Sequence, residues 1–168
     1  MERSFHGRTF AGISATGQAK FREGFEPVVP GFVHVPFNDL AAVERALTPK
    51  TAAIILEPIQ GEGGVRVADA AYLAGLKRLC QSKKILLIFD EVQTGMGRTG
   101  RMFAFKNFGI EPDVMTLAKS LGGGFPIGAT VANLTSQSTT LTMPAVNTTV
   151  LSKFFRNVPF AFFRNVPL

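Results

Sequence analysis

Hydrophobic positions along this chain change period as they go, and each change predicts an element. Residues 32–37 (FVHVPF) form a short β-branched and aromatic run that reads as a strand. Asn38 and Asp39 then offer side-chain oxygens at a helix start. Leu40, Val43 and Leu47 recur at helical spacing, and Pro49 ends the pattern. Residues 52–56 (AAIIL) are continuously apolar and run into Glu57, as a buried strand would. Across residues 70–82, Tyr72, Leu73, Leu76 and Leu79 share one face while Lys77 and Arg78 lie off it, predicting an amphipathic helix. A second apolar run, residues 84–89 (KILLIF), enters Asp90, Glu91, Val92 and Gln93. A glycine-rich loop (94–100), a short helix near 102–108, a strand at 113–117 and a further apolar stretch at 125–131 complete the pattern. Near-continuous apolar strands alternating with helices predict an α/β fold whose parallel sheet is covered on both faces.

The polar residues that end these strands carry the candidate chemistry. Asp90 and Lys119 lie 29 positions apart, each just past a strand-like run. Ligands of open α/β sheets sit outside the carboxyl ends of the strands, so this spacing delivers one acid and one amine to one crevice. Pyridoxal phosphate (PLP) chemistry needs that pair. A lysine holds the aldehyde as a Schiff base, and a carboxylate keeps the pyridine nitrogen protonated.

Composition narrows the alternatives. The chain has 168 residues, is 46% hydrophobic and 18% charged, and has room for about one domain. Its net charge is +6, and all 12 acidic residues lie at or before Asp113. The basic residues are scattered, with no run or stripe, so nucleic-acid binding is not expected. Cys80 is the single cysteine, which excludes an intrachain disulfide and suits a small buried hydrophobe. No signal peptide and no apolar run of membrane-spanning length is read, so the expectation is a cytoplasmic protein without a membrane partner. No His/Cys cluster has metal spacing.

Five segments, in order and spacing, make a more specific pattern: Ser4 to Thr9 (SFHGRT), Thr16 to Gln18 (TGQ), Glu57 to Gly64 (EPIQGEGG), Phe89 to Gly100 (FDEVQTGMGRTG) and Ala118 to Pro126 (AKSLGGGFP). With them the chain resembles the class III PLP-dependent aminotransferases over residues 4–132, and SFHGRT with Val35 to Asp39 favours the acetylornithine branch. The resemblance implies a partial large domain of PLP-dependent transferase fold type I, a mostly parallel sheet flanked by helices. It implies ping-pong amino-group exchange between N-acetylornithine- or ornithine-type donors and 2-oxoglutarate, in arginine metabolism, with small-molecule amino acid and 2-oxo acid substrates and a homodimer in the parent family. Carried over by position, Lys119 is the Schiff-base lysine and the mover of the Cα proton. Asp90 pairs with the pyridinium nitrogen, Gln93 meets the phenolic oxygen, Val92 and Phe5 press on the two ring faces, and His6 sits beside Phe5. Arg8 fits the substrate α-carboxylate as a planar fork of donors, while Glu57 and Glu62 line the substrate pocket.

The resemblance also shapes expectations for the rest. Residues 1–132 are expected to be the partial PLP-binding domain, and residues 133–168 a divergent Thr/Ser- and Phe-rich tail with no assigned domain. In that tail Phe154 to Pro159 (FFRNVP) recurs as Phe162 to Pro167. The family's Gly/Ser/Thr loop, which holds the PLP phosphate at a helix start, is not found among these residues. The chain is therefore expected to be a fragment joined to foreign or out-of-frame sequence. The alternative to an active aminotransferase is an inactive remnant or a partner of a full-length subunit.

Overall fold

The computed structural model describes residues 1–133 and the backbone of Val150–Ser152. Most of the Thr/Ser- and Phe-rich tail lies outside the described residues. Among the described residues five strands form the main sheet: β1 (Ala53–Leu56), β4 (Leu86–Asp90), β5 (Val114–Leu117), β6 (Ala129–Ala132) and β7 (Val150–Ser152), adjacent in that order. The pairs β1–β4, β4–β5 and β6–β7 are parallel, and β5–β6 is antiparallel. A separate two-stranded hairpin, β2 (Ile59–Gln60) and β3 (Arg66–Val67), spans the turn after β1. The expected α/β architecture with a mostly parallel sheet is present.

The helix signals operate as local chemistry predicts. Asp39 caps α2 (Leu40–Ala46) by accepting from the Ala42 N–H at 2.8 Å. The helix α3 (Ala70–Lys83) buries Tyr72, Leu73, Leu76 and Cys80, which share one core with Leu56, Leu87, Phe89 and Met115 from the strands. Gly75 permits α2 to approach: a Cβ there would lie 2.5 Å from the Leu40 Cδ2. Burial pushes the Cys80 thiol pKa up to about 12, so it behaves as a core hydrophobe.

Three expectations need correction. Residues 32–37 form no strand: Pro30 and Pro36 lack N–H groups, Phe32 and Val33 are exposed, and the Glu2 N–H bonds the Val35 carbonyl at 2.8 Å without a continuing ladder. The run at 84–89 becomes a strand only from Leu86, because Lys84 adopts left-handed backbone (φ +55°) that closes α3. Coverage of the sheet is uneven. Ile54, Leu56, Leu87, Phe89, Met115 and Leu117 are buried on one face, while alternate positions on the other are half-buried. The short helix expected near 102–108 is present as α4 (Phe105–Phe108), while α1 (Phe10–Ala15), capped by the Thr9 hydroxyl, carried no sequence expectation.

Asp113 ties the helix layer to the sheet. Its Oδ2 accepts from the Leu87 N–H at 2.8 Å and its Oδ1 from the Lys77 ammonium at 2.8 Å. Replacing Asp113 with Ala is expected to cost about 1–3 kcal/mol, because a buried N–H loses its acceptor. Lys77→Met, which removes a partly buried ion pair but leaves the Leu87 N–H its acceptor, is expected to cost less, about 1 kcal/mol. Urea unfolding that ranked the two the other way would show that the ion pair, not the amide, is the important contact.

Candidate active site

Strand register sets the site's base. Leu56 pairs with Phe89 and Asp90 with Thr116, so Glu57, Asp90 and Thr116 stand side by side where the three parallel strands end. Lys119 follows two residues beyond the end of β5. The acid and the amine are thus carried to the same edge by neighbouring strands, as their spacing suggested.

The N-terminal segment crosses this edge and is pinned to it. The Phe5 N–H donates to Glu57 Oε2 at 3.0 Å, and the His6 N–H to Thr16 Oγ1 at 2.9 Å. The His6 side chain is 3% exposed, and its Nδ1 lies 2.8 Å from Asp90 Oδ2. An ionised carboxylate only accepts, so Nδ1 donates in that contact. The Asp90 Oδ1 accepts from the Val92 N–H at 3.1 Å. The Phe5 ring packs edge-on to Phe21 at 5.0 Å, and the exposed Arg8 holds its guanidinium carbon 5.8 Å from the Phe5 centroid. Gln93 is folded against the turn after β1, where a Cβ on Gly61 would lie 3.0 Å from its amide carbon.

Phe5, His6, Glu57, Asp90, Val92 and Gln93 are therefore brought together, with Arg8 on the Phe5 side. Glu62 is exposed on the Gly61–Gly64 turn and makes no ion pair among the described residues. Lys119 is exposed, and its backbone sits in the left-handed region at φ +47°. A side chain with a Cβ holds that conformation at a cost of about 1–2 kcal/mol, which must be offset by its surroundings.

Sequence reasoning missed Glu91. It is 1% exposed and its carboxylate accepts three hydrogen bonds: Thr94 Oγ1 to Oε2 at 2.8 Å, Ala104 N–H to Oε2 at 2.7 Å and Phe105 N–H to Oε1 at 2.8 Å. The available signal was strand alternation. Two consecutive acids at a strand end point to opposite sides, so one of them must enter the protein and needs donors there.

The electrostatics are those of crowded, buried acids. Burial pushes the Glu57 carboxyl pKa up, and the Asp90 charge adds to the rise. The Phe5 N–H and His6 oppose it. Three buried polar atoms find no hydrogen-bond partner among the described residues: His6 Nε2, Glu57 Oε1 and Gln93 Nε2. Such atoms are costly to bury and mark a place where a polar ligand would be accepted. A cavity of about 570 Å³ lies elsewhere, along β1, lined by Val33, Val43, Leu47, Ile54 and Ile55 and by none of the site residues. Among the described residues there is no metal-binding group of His, Cys, Asp and Glu, and no helix long and apolar enough to cross a membrane.

Parallel strands end at one edge with a buried acid on one and a lysine beyond the next, and the chain belongs to the class-III aminotransferases: that family's model matches residues 1–149. Similar proteins include acetylornithine aminotransferases of Methanocaldococcus jannaschii (60% identical over 131 residues, 78% of this chain and 33% of that protein) and Gloeobacter violaceus (59% over 130 residues, 77% and 32%). Among solved structures, the Toxoplasma gondii ornithine aminotransferase matches at 43% identity and TM-score 0.71, covering 76% of this chain and 30% of that one. The Stenotrophomonas maltophilia N-acetylornithine aminotransferase matches at 50% and 0.57, covering 60% and 28%. The chain spans about a third of the length of the curated relatives it matches.

The raised Glu57 pKa has a consequence for stability. The folded state binds this proton more tightly than the unfolded state, so Glu57's contribution weakens as pH rises from the ordinary carboxylate range through the raised value. Glu57→Gln keeps an acceptor for the Phe5 N–H and removes the titration. Its urea-unfolding free energy, relative to wild type, is expected to increase across that window. A difference that stays flat from acidic to neutral pH would rule out Glu57 as the cause.

Proposed function

We propose that this chain carries the cofactor-facing part of a PLP-dependent aminotransferase site, and that the reaction served is amino-group exchange between an N-acetylornithine- or ornithine-type donor and 2-oxoglutarate, in arginine metabolism. The observation that carries the reading is the buried Asp90, held by His6 where β4 ends, beside a neighbouring strand that leads into Lys119. Likeness to acetylornithine aminotransferases supports the donor. A related ornithine aminotransferase is described with PLP at its active site, which supports the cofactor.

The residues present fit that group. The Gln93 Nε2 is a buried donor without a partner, and a phenolic oxygen is an acceptor. The Asp90 carboxylate sits where a protonated ring nitrogen could meet it, and Phe5 and Val92 offer apolar surfaces for the ring. When bound, PLP supplies an electron sink for the pair released at the substrate Cα.

Each residue then has its own task. Lys119 would hold the cofactor's aldehyde carbon and, once the substrate's amino group displaces it there, would move the proton at Cα. Asp90 would face the ring nitrogen, and the His6 Nδ1 contact at 2.8 Å keeps its carboxylate aimed. Arg8 binds the α-carboxylate. Its place near the Phe5 ring puts it on that side of the site. Glu57 and Glu62 line the substrate side. A second copy of the chain's family, as a dimer, is the proposed assembly.

Two results are expected. The purified chain, mixed with PLP and reduced with borohydride, should carry saturable label on Lys119 by peptide mass spectrometry, and Lys119→Ala should lose it. Label scattered over many lysines would instead favour the second reading, a chain that keeps the motif and needs another subunit to complete the site. Asp90→Asn should still take label on Lys119 but slow amino transfer about a hundredfold or more, as for loss of a group that controls proton transfer. Near-normal transfer in Asp90→Asn would refute the role given to Asp90.

A further inference from the structure

Lys119 stands in an unfavourable backbone conformation, and the structure contains a brace that reaches it from the Asp90 side. Its 3₁₀ turn, Lys119–Gly122, is closed by the Leu121 N–H on the Ala118 carbonyl (3.0 Å) and continued by the Gly123 N–H on the Ser120 carbonyl (3.3 Å). Within that turn the Ser120 hydroxyl accepts from Arg98 Nε at 2.8 Å. Arg98 belongs to the glycine-rich loop that leaves Asp90.

That loop is pinned at both ends to one residue. The Gly95 N–H donates to the Glu91 carbonyl at 2.8 Å, and the Glu91 carboxylate takes Thr94 at one end of the loop and Ala104 and Phe105 at the other. Inside it, the Gly97 N–H bonds the Met102 carbonyl at 3.2 Å, and Asn107 Nδ2 reaches Thr99 Oγ1 at 3.1 Å. Glu91 itself donates its N–H to the Thr116 carbonyl of β5 at 3.0 Å. The route from Asp90 to Lys119 therefore closes into a ring: through β4 and β5 on the inside, and through Glu91, the loop, Arg98 and Ser120 on the outside.

We propose that Arg98 is a positioning residue for Lys119, acting through Ser120 from a loop that Glu91 anchors. The guanidinium Nε–H has a direction fixed by its plane, which a flexible ammonium lacks. Glu91 makes the loop stiff enough for that direction to matter, since both loop ends share one buried carboxylate. The backbone of Lys119 is then held in its left-handed turn beyond the end of β5. The link to chemistry rests on the reading of Lys119 given above; the mechanical claim does not.

Amide hydrogen exchange on the purified chain tests the brace directly. In Arg98→Ala and in Ser120→Ala, exchange at Leu121 and Gly123 is expected to rise about fivefold or more, while exchange in β4 stays unchanged. The double variant is expected to match either single one, because both remove the same bond. Unchanged exchange at these amides, or an equal rise throughout the sheet, would overturn the proposal. Borohydride labelling with PLP supplies the second readout. If the wild-type chain labels at Lys119, Arg98→Ala is expected to cut the fraction of label on that lysine about fivefold or more. Equal labelling would overturn the positioning role. A wild-type chain that takes no label on Lys119 refutes the site reading instead, and the exchange result then decides the brace alone.

Discussion

Three parallel strands stopping at one level is the constraint on which the site depends. Leu56 faces Phe89 and Asp90 faces Thr116 in the ladder, which puts Glu57, Asp90 and the lead-in to Lys119 in line. Side chains alternate along a strand, so a slip of one residue in β4 would turn Asp90 into the protein and Glu91 out of it. The buried faces of Leu87 and Phe89 prevent that slip, since it would expose both. Core packing and functional geometry are therefore enforced by the same apolar residues.

The neighbouring acids illustrate how a chain manages buried charge. Asp90 and Glu91 are both almost fully buried, and an unpaired carboxylate in such a place would be far more costly than any single contact could offset. Each is supplied with donors, but of different kinds. Glu91 takes a hydroxyl and two backbone N–H groups, all from its own stretch of chain. Asp90 takes one backbone N–H and a histidine brought from the other end of the described structure. The first set makes a fixed joint. The second leaves the far nitrogen of His6 without a partner among the described residues.

Much of this was legible in the residue order. The strands into Glu57 and Asp90, the Asp39 cap and the apolar face of α3 follow from local periodicity and capping chemistry, and the structure keeps them. Contacts between distant segments were not legible. The strand expected at residues 32–37 needed a partner ladder, and Pro36 denies it one. Lys84 has the composition of a strand start, but the helix before it uses that residue to turn. No local pattern shows that His6 meets Asp90 or that Arg98 meets Ser120, because neither pair is near in sequence. Glu62 and Arg8 lie on exposed surface, where composition alone says little about what they face.

The His6 to Asp90 contact joins residues 84 positions apart, half the length of the chain. Contacts of such separation form late, after nearer pairings have closed the intervening loop. The acid's geometry therefore depends on a closure across half the chain, so any change that loosens the amino-terminal segment is felt at the end of β4.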